Sequence, residues 1–587
     1  MSDMIKQKKI SIGVEDFKEI ISKDGYFVDK TLMIKALIES NAKVILFTRP
    51  RRFGKTLNQF MIRRFFEDEI TEKGERVDNG YLFDALKISD CGEEILLHQQ
   101  QYPVIFMTLK SGKQKNYHLA YEELKKRISE EYKRHRYVLQ GQALSEEEKI
   151  RFQSIADLKA EESIYQDALA FLSACLAKYH GRNVFILIDE YDVPLENAYF
   201  RGFYDEMIDF IRSLFESALK TNPYLEKGII TGCLRISKES VFTGLNNLKI
   251  DSVLHTDYAD SFGFTEAEVE AMLAYYDLSE ELPEVKRWYD GYLFADIEIY
   301  NPWSIINYVY DRDRKITQFA LPYWSNSSSN SIIREMVGEA DEEDRADLET
   351  LINGGAIEKR VHEDITYGDI HQSQDNLWNF LFFTGYLKKI SERKDQSGEN
   401  LYLSMMIPNT EVKTIYRDSI TYWFDQRIKE LDRSPLRLAL EAGDCQAAED
   451  FISGQLMDTI SYFDHAESFY HGFLLGLLTN IGGYRVKSNR ESGDGRPDIV
   501  MTELKFMGRA IILELKISDT FRGMEKKCEE GLAQIEMGNY ARPLEDDGYQ
   551  EILKYAICFF KKGCMVRKAS GAMSEMMKKK SLPVKIT

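Results

Sequence analysis

The sequence is poor in the features that mark several common protein classes. Its seven cysteines, Cys91, Cys175, Cys233, Cys445, Cys528, Cys558 and Cys564, are scattered, and none stands in a C-x-x-C pair. Such spacing fits neither a zinc ribbon nor a disulfide framework, and it points to a reducing, cytoplasmic setting. No run reaches the ~18 apolar residues that a spanning helix needs, and the N-terminus holds no apolar core of signal-peptide length. A soluble protein with no membrane partner is expected. Positive charge is also short: 77 Lys and Arg against 96 Asp and Glu give a formal net charge of -19. That sign excludes a protein that coats nucleic acid over its whole surface, while leaving room for a local basic groove. No motif for a Ser-His-Asp or Cys-His nucleophilic site is present, and no internal repeat stands out.

What is present is globular. At 587 residues the chain is too long for one core, and 44% hydrophobic and 12% aromatic content predicts two to four folded domains. Charge is uneven at the C-terminal end. Beyond Glu551 the basic residues Lys554, Lys561, Lys562, Arg567, Lys568, Lys578, Lys579, Lys580 and Lys585 face only Glu551 and Glu575. This reads either as a solvated tail or as a basic stripe.

Lys43-Val-Ile-Leu-Phe-Thr48 predicts a short buried strand that runs into Arg49-Pro50-Arg51-Arg52-Phe53-Gly54-Lys55-Thr56 and then an amphipathic helix. Strand, loop, Gly-Lys-Thr and helix is the order of a phosphate loop. The loop amides and helix N-terminus would bind phosphate oxygens, Lys55 would reach the β- and γ-phosphates, and the Thr56 hydroxyl would ligate Mg²⁺. The first position departs from G-x-x-x-x-G-K-[ST], with Arg49 for Gly, and its bulk could narrow the phosphate turn. Asn183-Val-Phe-Ile-Leu-Ile-Asp-Glu190 is an apolar strand ending in two carboxylates. Asp189 is placed to hold Mg²⁺ and Glu190 to polarise the attacking water. A third strand ends at Thr231, where a hydroxyl can sense the γ-phosphate. Arg235, four residues on, is a candidate arginine finger in cis or from a neighbouring subunit, with a surface salt bridge as the rival reading.

These residues resemble the predicted AAA-ATPase-like proteins of bacteria and archaea, which carry an R-P-R-R-F-G-K-[ST] loop and an I-D-E-Y-D strand end, here Arg49 to Thr56 and Ile188-Asp-Glu-Tyr-Asp192. Thr231-Gly-Cys-Leu-Arg-Ile-Ser-Lys-Glu-Ser240, Gly244-Leu-Asn-Asn247, Phe262-Gly-Phe264, Trp288-Tyr-Asp-Gly-Tyr292 and Tyr300-Asn-Pro-Trp303 extend the likeness over about residues 5 to 310. Because that family itself has Arg at the first loop position, the departure does not count against membership, though it leaves catalytic competence open; the resemblance implies ATP as ligand.

A charged insert at about 116 to 180 reads as helices, one starting at Ser145-Glu-Glu-Glu-Lys149, with its charge run a solvated face. Beyond Pro302 the chain reads mainly as helices, with a loop at Ser325-Asn-Ser-Ser-Ser-Asn330 and an apolar helix over Leu377 to Leu387 that suits a winged-helix-like lid or connector.

The C-terminal part holds Gly493-Asp-Gly-Arg-Pro-Asp498 and Arg509-Ala-Ile-Ile-Leu-Glu-Leu-Lys516. Residues two apart in a strand share a face, so Glu514 and Lys516 point together while Leu513 and Leu515 pack oppositely. If residues 497–501 pair with 509–516 as a hairpin, Asp498 comes near Glu514. Two carboxylates then hold a divalent metal, and Lys516 orients or activates water and stabilises phosphate charge. This is the P-D...(D/E)-x-K arrangement of restriction-endonuclease-like nucleases. A helix from Glu467 precedes the strands and one around Gly531 to Ile535 follows, giving an αβββαβ order with Tyr555 to Phe560 as the later strand. Glu467 is then an extra metal ligand or its support, and Gln534 a substrate or water contact. His465 and His471 have no usable metal spacing. Residues 455 to 565 also resemble the nuclease domain that commonly follows this ATPase family, down to Ser488-Asn-Arg-Glu-Ser-Gly-Asp-Gly-Arg-Pro-Asp498.

The expected fold is α/β: a P-loop NTPase parallel sheet with a helical insert (1–325, with lid), a helical connector (326–454) and a restriction-endonuclease-like domain (455–587). The expected activity is ATP binding or hydrolysis coupled to Mg²⁺-dependent cleavage of DNA or RNA, with Mn²⁺ as a substitute at the nuclease site and self-association through the ATPase domain. The alternative is a nucleotide-dependent switch or scaffold with an inactive nuclease fold.

Overall fold

The computed structural model describes residues 7–220, 222–235, 242, 247–325, 333, 341–363, 374–457, 467–479, 481–488, 497–505 and 507–569. Outside them lie 236–240, 244–246, 326–330 and 489–496 of the stretches quoted above, with His465, Lys578, Lys579, Lys580, Lys585 and the side chain of Glu467. The chain forms two compact units, residues 1–329 with 354–415 and residues 330–353 with 416–587.

In the first unit, β1 (Val44–Thr48), β2 (Val104–Thr108), β3 (Val184–Asp189), β4 (Leu225–Gly232) and β5 (Leu248–Asp251) form a parallel sheet in the order β2-β3-β4-β1-β5. A parallel sheet is covered on both faces, which is why β1 and β3 are unbroken apolar runs with every residue buried. With β4 between β1 and β3, three carboxyl ends at Thr48, Asp189 and Gly232 open on one crevice. That edge of an open parallel sheet is where ligands bind, because loops and helix N-termini converge there.

The expected helical insert lies between β2 and β3, with helices Tyr117–Arg134, Glu146–Ala156 and Ala168–His180. Ser145 caps the second: its hydroxyl accepts from the Glu148 amide and Glu148 accepts from the Ser145 amide. The charge run is not wholly a solvated face. Glu67 and Glu131 are buried and pair with Arg134.

Two small antiparallel sheets complete this unit, one of β6 (Phe264–Thr265), β7 (Tyr292–Phe294) and β8 (Ile297–Tyr300), the other of β9 (Ile357–Val361), β10 (Lys388–Lys394) and β11 (Leu401–Met406). The stretch expected as a helical connector therefore contains strands as well as helices, and it is divided between the two units. β9 reads Ile-Glu-Lys-Arg-Val with only its two ends buried. So short and charged a strand carries no legible alternation.

In the second unit, β12 (Tyr484–Ser488), β13 (Ile499–Glu503) and β14 (Arg509–Ile517) form an antiparallel meander. The helix Met524–Met537 crosses to β15 (Glu551–Phe560), parallel to β14, and β16 (Gly563–Lys568) closes the edge. The expected helix, three strands, helix and strand are all found. The unit begins before residue 455, because the helices Ser434–Ala442 and Cys445–Met457 bury Leu436, Leu440 and Ile452 in one core with Leu513, Leu515 and Tyr555. The basic run is less exposed than expected: Lys554 pairs with Glu536, Lys562 with Glu349, and Arg567 with Glu449 and Glu525. These acidic partners are far off in sequence, which is why the run looked unopposed.

Candidate functional site

At the crevice, β1 passes into the helix Lys55–Phe66 through a loop whose Arg52 and Gly54 have φ of 71° and 84°. Gly54 adopts this conformation freely, whereas Arg52 is held there with its guanidinium stacked 4.3 Å over the Trp303 ring. Lys55 is buried, and its Nζ donates to the carbonyls of Arg49 and Pro50 at 2.9 Å each. An ammonium folded back on its own loop can exchange those carbonyls for phosphate oxygens. The cavity over the loop, about 490 Å³, carries Arg51, Arg52, Lys55, Lys110 and Lys113 on its walls. Five cations around one space suit a polyphosphate.

Arg49 is not among them, and its expected role at the phosphates is corrected. Its guanidinium is fully buried, with Nη2 donating to Asp251 Oδ1 at 2.5 Å and Nη1 to the carbonyls of Asp251 and Thr48 at 2.8 and 3.0 Å. The rings of Phe262 and Phe294 lie 5.0 and 5.5 Å from it. The buried carboxylate of Asp251 draws this side chain away from the loop, so its bulk does not narrow the phosphate turn. Phe53 is likewise turned inward, its ring 5.0 Å from Tyr292 and 5.2 Å from Phe294. Pro50 packs against Gly385, where a Cβ would come 2.9 Å from the proline Cβ.

Asp189 is the centre of the crevice. Thr56 Oγ1 donates to its Oδ2 at 2.9 Å and Thr231 Oγ1 to its Oδ1 at 2.7 Å. Burial, with Glu190 beside it, pushes its pKa up to about 6. A buried carboxylate under that pressure, paired with a hydroxyl, fits a hard cation: Thr56 and Asp189 are the donors a Mg²⁺ would need. Glu190 lines the cavity at φ 51°. A non-glycine residue there costs on the order of 1 kcal/mol and is kept where a turn or function demands it. Arg51 Nη2 donates to both Glu196 oxygens at 2.5 and 2.6 Å. Arg235 is not among the residues that line the cavity.

Several cavity residues were not anticipated. Asp192 is buried, its Oδ2 accepting from the amides of Cys233 and Leu234 at 2.7 and 3.2 Å, which ties the end of β3 to the end of β4. Its place in the Asp-Glu-Tyr-Asp string was the available signal. Lys110 and Lys113 follow β2, and the signal for them was a Lys-Ser-Gly-Lys string at a strand's carboxyl end.

In the second unit, Leu513 and Leu515 face one core while Ile512 faces the other, beneath the helix Met524–Met537. Glu514 and Lys516 share this latter face. Gly531 of that helix leaves room above them: a Cβ would lie 3.4 Å from Lys516 Cγ and 3.6 Å from Glu514 Cγ. Lys516 Nζ donates to Glu514 Oε1 at 2.9 Å, while Glu514 Oε2 is buried and has no hydrogen-bond partner among the described residues. Asp498 joins them from the start of β13, its Oδ2 accepting from the Leu515 amide at 2.8 Å. Burial first, and the Asp498 charge second, push Glu514 up to about 7. Two opposed carboxylates and an orphaned buried oxygen fit a divalent cation.

Gln534 stands apart from these three. It is exposed, and its Nε2 donates to Tyr540 Oη at 3.2 Å. Glu467 opens the helix Glu467–Leu478. Among the described residues no set of three metal-ligating side chains lies close enough to hold an ion. His471 has no usable metal spacing in the sequence. It is buried on that helix, with Nε2 3.3 Å from the Asp498 carbonyl and 3.2 Å from Ser488 Oγ.

A phosphate loop at the carboxyl edge of a parallel sheet and a paired-carboxylate strand in a mixed sheet define a P-loop protein that also carries a restriction-endonuclease-like domain. Accordingly, residues 11–242 match the AAA-ATPase-like family, described as predicted AAA-ATPase, and residues 465–569 match the PD-(D/E)XK nuclease superfamily. A curated relative from Azotobacter chroococcum mcd 1, described as an uncharacterized protein in the vnfD 5' region, is 28% identical over 342 residues. That match covers 57% of this chain and 57% of the relative, so the chain spans less than two thirds of it.

Proposed function

We propose that the first unit binds and hydrolyses ATP and that its nucleotide state controls Mg²⁺-dependent phosphodiester cleavage of DNA or RNA by the second. The reading rests most on Glu514: a buried carboxylate oxygen with no partner among the described residues, opposed by Asp498 and contacted by Lys516, has little structural purpose unless a cation joins it.

In the ATPase site, Lys55 leaves the loop carbonyls for the β- and γ-phosphates, and Thr56 and Asp189 hold Mg²⁺. Glu190 takes a proton from the attacking water as its oxygen bonds to the γ-phosphorus, and the bridging oxygen departs on ADP with the bonding electron pair. In the nuclease site Asp498 and Glu514 hold Mg²⁺ or Mn²⁺, which supplies charge neutralisation at the phosphodiester when bound. Lys516 orients the attacking water, whose oxygen bonds to phosphorus as the P–O bond to the leaving nucleotide breaks, that oxygen departing with the bonding pair and the water's proton passing to solvent, and it stabilises charge on the phosphate in transit.

The test is cleavage of plasmid, linear and single-stranded DNA and of RNA by the full chain, with Mg²⁺ or Mn²⁺, with and without ATP. Cleavage is expected to vanish in Asp498→Ala and to lose its ATP dependence in Lys55→Ala. Intact substrates under every condition, with ATP still bound, would instead favour a nucleotide-operated switch whose C-terminal carboxylates only shape the fold.

A further inference from the structure

The loop after β2 delivers a cation to the phosphate crevice that the phosphate-loop pattern does not include. β2 runs parallel to β3 with Thr108 opposite Asp189, so the chain leaves β2 beside the buried carboxylate. The Leu109 amide donates to the Asp189 carbonyl at 3.0 Å, and the Gly112 amide closes a tight turn on the Leu109 carbonyl at 3.0 Å. Gly112 is pressed on the helix that follows Asp192: a Cβ there would lie 2.8 Å from Pro194 Cβ, closer than such atoms approach. The turn is thus clamped, and Lys110 at its head is aimed into the cavity. Its Nζ lies 3.4 Å from Thr56 Oγ1 and 2.5 Å from Glu15 Oε1. Thr56 is in turn bonded to Asp189, so the ammonium sits within one hydrogen bond of the pair that fits a cation.

We propose that Lys110 contacts the terminal phosphate of a bound nucleoside triphosphate, and that Glu15 holds its ammonium in place when no such phosphate is present. This rests on the ATP-binding reading of the same crevice. Geometry favours the terminal phosphate. Lys55 reaches the β- and γ-phosphates from the helix N-terminus, whereas Lys110 enters from the Asp189 and Glu190 side, against the face of the γ-phosphate that the attacking water approaches. Lys110, and not Arg235, lines the cavity at the place expected for a γ-phosphate contact.

The experiment is titration of the full chain with ADP and with a non-hydrolysable ATP analogue, in Mg²⁺, for the wild type and for Lys110→Gln, Lys110→Arg, Glu15→Gln and Lys55→Ala. Lys110→Gln is expected to weaken the triphosphate analogue about tenfold or more while ADP affinity stays within about twofold. Lys110→Arg should recover most of the loss, and Glu15→Gln should tighten the triphosphate more than ADP. Equal losses for both nucleotides, or no loss for either, with wild-type binding intact, would overturn the assignment of Lys110 alone. A wild type that binds neither nucleotide, and so gives Lys55→Ala nothing to lose, would overturn the reading of the crevice and the inference with it.

Discussion

Arg49 and Asp251 form an ion pair that solvent does not reach, with 2.5 Å between Nη2 and Oδ1. The pair joins the first residue of the phosphate loop to the end of β5, on the side of β1 away from β4. It therefore fixes the loop from behind, in the place where a glycine would leave the turn unanchored.

Breaking this pair leaves one charge buried. Arg49→Ala is expected to destabilise the protein by about 3–5 kcal/mol, and Arg49→Gly by a similar amount although glycine is usual at this loop position. Adding Asp251→Asn to Arg49→Ala should restore part of the loss. Urea unfolding of the two single variants and the double variant measures the coupling, and additive losses would show that the pair does not act as a unit.

Strand ends with polar residues were legible in the sequence because their chemistry is local. A run of four or five apolar residues that stops at Asp-Glu or at a Gly-Lys-Thr loop announces its own edge of the sheet. The paired carboxylates of β13 and β14 were legible for the same reason, since a period of two fixes which residues share a face. What was hidden depends on distant partners. Nothing near Arg49 in sequence names Asp251, and nothing near Arg567 names Glu449 or Glu525. Lys110 was hidden because its place depends on β2 lying beside β3, a pairing across about eighty residues. β9 and β10 are not legible as strands because short charged strands show neither helical nor strand periodicity.

Glu190 separates binding from hydrolysis. It lines the cavity while Asp189 and Thr56 bond each other, so its carboxylate is not needed to hold the loop. Glu190→Gln is expected to keep ATP affinity within a few-fold and to lower turnover at least a hundredfold. Nucleotide titration beside phosphate release checks this, and loss of binding in the variant would assign Glu190 to the cradle instead.

Glu411 makes the stability of the first unit depend on pH. It is out of solvent, accepts from Ser304 Oγ at 2.7 Å and from the Trp324 amide at 2.8 Å, and burial pushes it up to about 7 from its ordinary 4.5. Because the folded-state pKa is the higher one, the folded chain keeps the proton that the unfolded chain releases. The associated stability is full below the ordinary pKa and is lost as pH rises through about 7. Glu411→Gln, which keeps an acceptor and a donor in the same shape, should therefore gain on the wild type as pH rises, by up to about 3 kcal/mol. Unfolding curves from pH 5 to pH 8 test it, and a constant difference across that range would mean Glu411 titrates normally.

Asp498 and Glu514 oppose each other without a cation and should cooperate with one. Asp498 raises the pKa of Glu514, and the stability tied to the Glu514 proton is lost as pH rises through about 7. Asp498→Asn removes that charge while its carbonyl oxygen can still accept the Leu515 amide, now at 2.8 Å from the carboxylate. At pH 8 in chelator the variant is therefore expected to be more stable than the wild type, by on the order of 1 kcal/mol. Divalent metal should reverse the order, raising the melting temperature of the wild type by mass action and leaving the variant nearly unmoved. The two halves of this prediction have different sources, repulsion in the free site and coordination in the loaded one. A variant less stable than wild type in chelator would show that Asp498 is held by its hydrogen bond more than it is strained by its neighbour. Equal stabilisation of both proteins by metal would place the ion elsewhere, and the carboxylate pair would then be a feature of the fold and not of its chemistry.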